Sequence, residues 1–274
     1  MLSQIFSRKR EPIDFSMIIG SCTHKGREAG IIWDNVNVAN GSDQETQVLV
    51  RYFVDYHKSL LGKPNMKGLL EPNATQANFR ALELARDYTG RNKVLCSNLS
   101  HISIARACHS LKLEPIVLDA DPDQRYQVDN EELARAVSEH GKDIAAVVST
   151  YGTTQLGTIE DLVERELAKQ LREDGAWLHV DAAYGGYVGT LSRHVKKKVP
   201  DADSITIDPY KFVGKPGVAL LLVDENKTPE SNVDYYVQSQ FTLHTTLPAG
   251  PIAAWHQTVK DCGDYVLEDM ANEC

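Results

Sequence analysis

Between residues 43 and 61 the apolar positions Leu49, Tyr52, Phe53, Tyr56 and Leu60 recur at three- and four-residue steps. Such steps set one side of a helix against a core, so the spacing predicts a helix over Asp43–Leu61, capped by Ser42 and stopped by Gly62. A second helix is expected from near Asn73–Thr75 through Tyr88. Beyond it the pattern alternates. Short apolar runs at Lys93–Cys96, Pro115–Asp119, Ile144–Thr150, Trp177–Asp181, Ser204–Ile207 and Val218–Val223 read as strands. Helices are expected at Ile102–Leu111, Glu131–His140, Ile159–Leu171 and Pro251–Met270. Strands alternating with helices of about 10–15 residues predict an α/β fold, a mostly parallel sheet flanked by helices. No repeat and no linker-like stretch precedes residue 250. The chain therefore reads as an N-terminal segment (1–45) and one large domain (46–274).

In such sheets ligands collect outside the carboxyl ends of the strands. Four polar clusters fall there: Ser97 to His101, Thr150–Thr154, Asp181–Gly186 and Asp208–Lys211. Lys211 directly follows a run that reads as a buried strand. A desolvated rim lowers a lysine's pKa and favours the neutral amine of a Schiff-base lysine, although a snorkelling surface lysine fits the same residue. Asp181 ends the apolar strand Trp-Leu-His-Val-Asp. A carboxylate there needs a cation or donors, and a protonated pyridine nitrogen or the next turn's N–H groups would both serve. The small residues Ala182, Ala183, Gly185 and Gly186 that follow would admit a flat ring. His101 suits ring stacking and helix capping alike. Asn73-Ala-Thr-Gln-Ala-Asn suits a phosphate, held by backbone N–H groups and Thr75, as well as it suits plain N-capping.

Other patterns lead nowhere. His179 and Asp181 share a strand face, but no third ligand accompanies them and no metal is expected. Gly185-Gly-Tyr-Val-Gly189 lacks a dinucleotide fingerprint, and Gly214-Lys215-Pro216 lacks the spacing of a P-loop. Lys196-Lys197-Lys198 reads as a solvated loop.

Charge and cysteine usage narrow the class. With 29 Lys and Arg against 38 Asp and Glu, the net charge is −9, which argues against nucleic acid. No apolar run approaches the roughly 18 residues of a membrane span. Arg8, Lys9 and Arg10 are not followed by an apolar stretch of about 7–15 residues, so no secretory signal is expected. Five widely spaced cysteines, an odd number without a C-x-x-C pair, suggest reduced thiols and a cytoplasmic protein.

Taken together, the rim clusters resemble the pyridoxal-phosphate group II amino-acid decarboxylases. The resemblance rests on Trp177-Leu-His-Val-Asp-Ala-Ala-Tyr-Gly-Gly and on Ala202-Asp-Ser-Ile-Thr-Ile-Asp-Pro-Tyr-Lys. Ser149-Thr-Tyr-Gly-Thr-Thr with Gly157, and Ser97 to His101, match further family blocks in the right order. Ile19-Gly-Ser-Cys-Thr looks most like the short archaeal tyrosine or aspartate decarboxylases. The resemblance implies a fold-type-I, transferase-like large domain, pyridoxal 5'-phosphate as cofactor, a homodimer, and decarboxylation of tyrosine or a related aromatic or acidic amino acid. A cofactor-holding chain without that activity is the alternative. By the same resemblance Lys211 forms the Schiff base, Asp181 pairs with the ring nitrogen, and His101 and Ala183 sandwich the ring. Thr154 lies near the ring substituents, and Ala74, Thr75, Ser204 and Asp208 cradle the phosphate. Three features depart from the family. Glu71-Pro-Asn-Ala-Thr replaces its Gly-Gly phosphate turn, and Tyr210 replaces the histidine before the lysine. The sequence stops at Cys274, so the family's small C-terminal domain, with its substrate-gripping arginine, is expected to be missing.

Overall fold

The computed structural model describes residues 44–195, 197–228 and 249–274. Its helices are α1 (Gln44–Leu60), α2 (Ala74–Thr89), α3 (Ile102–Leu111), α4 (Asn130–His140), α5 (Glu166–Glu173), α6 (Gly185–Leu191) and α7 (Ala249–Glu273). Its strands are β1 (Met66–Glu71), β2 (Lys93–Ser97), β3 (Glu114–Leu118), β4 (Ala120–Asp121), β5 (Gln127–Val128), β6 (Ile144–Thr150), β7 (Trp177–Asp181), β8 (Ser204–Ile207) and β9 (Ala219–Asp224). Seven strands join in the order β1-β9-β8-β7-β6-β2-β3, while β4 and β5 pair separately. Strands β8, β7, β6, β2 and β3 run parallel, β9 opposes β8, and β1 opposes β9. The carboxyl ends of β2, β6, β7 and β8 therefore share one rim. The α/β expectation holds.

Strand alternation sorts the core into two layers. Leu69, Val94, Ala146, Val148, Trp177, Leu221 and Val223 pack with buried residues of α2 and α3, such as Ala81, Leu82 and Ile104. Leu70, Leu95, Val147, Leu178, Val180, Ile205 and Leu222 face the opposite layer, which includes Phe53, Leu133, Leu171 and Trp255. Asp181 and His179 share the parity of Trp177, so they look toward α2. Helix α2 starts where Asn73 accepts the Gln76 N–H at 3.0 Å and ends at Gly90, whose φ of 66° suits glycine.

Several elements, the short β4 and β5 among them, differ from the sequence reading. No single helix spans Ile159–Leu171. Ile159 bridges Tyr151, Leu162–Glu164 is one 3-10 turn, and α5 begins only at Glu166. Glu160 is the cause, because its carboxylate turns back to the Thr150 N–H (2.6 Å) and the Ser97 hydroxyl, holding the chain against the rim. Strand β1 and helix α6 were not expected at all. Within α7, Gly263 departs from helical geometry (φ 68°, ψ 168°). The expected cap Ser42 and the Ile19–Thr23 motif lie outside the described residues.

Candidate active site

Asp181 closes β7 and is 4% exposed. The Asn78 amide Nδ2 donates to its Oδ2 at 2.7 Å, and the Ala183 N–H donates to its Oδ1 at 3.1 Å. Each carboxylate oxygen keeps lone-pair capacity beyond these bonds. The turn-capping role is thus present, and the same carboxylate keeps room for a further donor.

Asn78 is the hub. Its Nδ2 also donates to Ser103 Oγ (2.9 Å), and its Oδ1 faces His179 Nε2 at 3.1 Å. An amide oxygen only accepts, so His179 carries its proton on Nε2 and its Nδ1 accepts from Ser204 Oγ (2.8 Å). Ser204 in turn accepts from the Trp177 indole N–H at 2.8 Å. Burial lowers the His179 pKa to about 4, so the ring is neutral. Among the described residues no group of three or more ligating side chains could hold a metal ion, and His179 is consumed by these bonds.

His101 caps α3, its Nδ1 accepting from the Ser103 N–H at 3.2 Å and lying 2.8 Å from Ser103 Oγ. The capping reading is therefore correct, and the ring is only partly buried. Desolvation lowers its pKa, the Asp181 charge opposes that shift, and Lys211 and Arg106 add to it. A single hydrogen-bonded path, His101–Ser103–Asn78–Asp181, joins two of the three expected catalytic residues. The third, Lys211, ends the 3-10 turn Pro209–Lys211 after β8 and is partly buried.

The phosphate residues divide. Ala74 is buried at the start of α2, its N–H donating to Asp208 Oδ2 at 3.3 Å, and Thr75 follows it, partly buried. Asp208 is 1% exposed at the end of β8. Ser204 does not belong with them. It sits at the other end of β8, level with His179, and its hydroxyl is fully buried between Trp177 and His179. Strand register puts it three residues below the last residue of β8, so it props Asp181's support rather than meeting a phosphate. Thr154 lies in an exposed turn after β6, Ala183 is buried beside Asp181, and Tyr210 is partly buried next to Lys211.

Two glycines after Asp181, Gly185 and Gly189, answer to packing. A Cβ on Gly185 would lie 2.1 Å from the Tyr151 carbonyl oxygen, and one on Gly189 2.3 Å from the Tyr151 ring. Helix α6 needs them to seat on the β6 rim. Sequence reasoning also missed Asn78 and Glu160, whose partners lie 103 and 63 residues away. Burial raises the Glu160 pKa, against the bonds from Ser97 and Thr150.

Comparison with known proteins bears on this rim. A family model described as the pyridoxal-dependent decarboxylase conserved domain matches residues 73–244. A probable L-tyrosine/L-aspartate decarboxylase of Methanothermobacter thermautotrophicus is 33% identical over 162 residues, covering 56% of this chain and 43% of that protein. The L-2,4-diaminobutyrate decarboxylase of Rhizobium meliloti is 37% identical over 184 residues, covering 61% of this chain and 36% of the relative. Glutamate decarboxylase from Lactobacillus brevis shares the fold with a TM-score of 0.72 at 16% identity, over 90% of this chain and 63% of that one. The chain thus spans roughly half the length, or less, of these two curated relatives.

Proposed function

Because the chain belongs to the pyridoxal-dependent decarboxylase family, we propose that it holds pyridoxal 5'-phosphate at the β7–β8 rim and decarboxylates an aromatic or acidic L-amino acid. The observation that carries this reading is Asp181, a buried carboxylate fixed by two donors with lone pairs left for a third. A protonated pyridine nitrogen is such a donor, and an opposite charge at hydrogen-bond distance keeps that proton in place. When bound, the cofactor supplies the electron sink for the pair left on Cα as carbon dioxide departs.

The chain's own residues do the rest. Lys211 would hold the cofactor aldehyde through its amine, with loss of one water. The His101 ring, tied through Ser103 and Asn78 to Asp181, would cover one face of the cofactor, with Ala183 under the other. Ala74 and Thr75 present the first turn of α2 to the phosphate, with Asp208 beside them. Thr154 borders the ring substituents. Tyrosine, aspartate and diaminobutyrate, the substrates in the relatives' names, are the ones to try first.

Incubation of the protein with the cofactor and borohydride should fix a phosphopyridoxyl group on Lys211. Peptide mapping that finds the label on Lys215, or nowhere, would sink the assignment. Release of amine and carbon dioxide in equal amounts from tyrosine or aspartate is the expected activity, whereas release from diaminobutyrate alone would overturn the aromatic or acidic class.

A further inference from the structure

The corner that faces a phosphate in this reading contains an acid. The N-terminus of the 16-residue helix α2 turns its Ala74 N–H toward Asp208 Oδ2 (3.3 Å), and Asn73 occupies the Gln76 N–H. Asp208 Oδ1 is buried and, among the described residues, meets no hydrogen-bond partner. The Tyr210 N–H faces the carboxyl group without closing a bond to that atom. An orphaned, desolvated oxygen is costly, on the order of 1–3 kcal/mol, and something is expected to satisfy it. A phosphate cannot do so as an acceptor facing an ionised carboxylate, since two anions in a dry corner repel. It can do so if the carboxyl carries a proton, because an O–H donated to a phosphate oxygen is a short, charge-assisted bond.

We propose that Asp208 binds the cofactor phosphate as a proton-bearing donor, so that phosphate capture is coupled to the uptake of one proton on Asp208 Oδ1. The inference rests on the cofactor reading above and extends it to how binding depends on pH. The surroundings permit the protonated form near neutrality. Burial pushes the Asp208 carboxyl up to about 7, with Asp181 of β7 adding to the shift. Lys211 and the N–H groups of Ala74 and Tyr210 oppose it. Among the described residues, the phenols of Tyr210 on the same turn and Tyr187 on α6 also feel the Asp208 charge, and both are raised and neutral in this range. An incoming phosphate dianion raises the Asp208 pKa further. Below about pH 7 the proton is already present, whereas above it the proton must be taken from solvent and affinity falls.

The test measures binding rather than turnover. Pyridoxamine 5'-phosphate and pyridoxamine, which share a ring and lack the aldehyde, are titrated into the full chain by fluorescence between pH 7 and 8.5, where the phosphate is already a dianion. Wild-type affinity for the phosphorylated ligand should fall, approaching tenfold per pH unit, while affinity for pyridoxamine should not follow it. In Asp208→Asn the amide donates without titrating, so the fall should vanish and binding at pH 8.5 should be about tenfold tighter than wild type. Parallel pH curves for the two ligands in the wild-type protein would overturn the proposal even if the variant does not fold. Parallel curves for the two proteins would overturn it as well. If neither ligand binds at any pH, the cofactor reading itself falls, and this inference with it.

Discussion

Asp181 and Asn78 show how one residue's chemistry depends on another's position. A carboxylate at a strand end is common, but one oriented by an amide on the facing helix has a fixed direction. Asp181→Asn keeps the shape while removing the charge that, in the proposed role, would hold the ring proton. We expect weaker cofactor retention and a fall in any decarboxylation of about two orders of magnitude or more, with the far-ultraviolet circular dichroism unchanged. Full activity in that variant would leave only the capping role. The charged rim residues were legible because an apolar strand running into Asp181 or Lys211 is a local signal. Asn78 was not, because an asparagine on a helix looks solvated until the strand 103 residues later is laid against it. Ser204 misled for the same reason, a hydroxyl near a motif but pointed into the core.

At the scale of elements, the strands were legible wherever an unbroken apolar run marked burial on both faces, as in Ile144–Thr150. Strand β1 was hidden by Lys67 and Glu71 around a short apolar core, and α6 by three glycines that no propensity favours in a helix. Packing decides α6. Gly185→Ala places a methyl group where the Tyr151 backbone already lies, so stability should drop by on the order of 3 kcal/mol in urea unfolding. A second test concerns the joint between α1, α6 and α7. His57 is fully buried, with Nδ1–H donating to the Phe53 carbonyl (2.6 Å) and Nε2 accepting from the Tyr187 hydroxyl (2.5 Å). That hydroxyl accepts from the Trp255 indole at 2.9 Å. Burial lowers the His57 pKa to about 4. The folded state therefore refuses a proton that the unfolded chain accepts below about 6.5, and stability is lost as pH falls from there toward 4. His57→Gln should soften this acid loss by on the order of 3 kcal/mol, read from urea midpoints at pH 7 and 4.5. His179 acts in the same direction, while the raised carboxyls Asp208 and Glu160 act oppositely. The difference between the two proteins isolates His57. Equal acid limbs would refute the assignment.

For the whole molecule, the expected homodimer gives the next test. On α1, Val48 is 60% and Tyr52 46% exposed, beside the buried face that packs on Trp255. If α1 meets a second copy, sedimentation should show a dimer at micromolar concentration and Tyr52→Glu should shift it toward monomer. A wild-type monomer with cofactor bound would exclude that arrangement.

The pairing of β1 with β9 has a consequence in time. Met66 meets Asp224 and Glu71 meets Ala219, so the strand at the sheet's edge waits for one about 150 residues later. Asp208 and Ala74 stand at the same seam, one just ahead of β9 and the other just after β1. On the ribosome, the parallel strands β2, β3 and β6 can begin to associate while synthesis continues, but the corner proposed to take the phosphate is not framed until β9 has emerged to pair with β1. A nascent chain thus cannot complete this corner before β9 has emerged. Its first capture of the ligand would report that β9 has arrived.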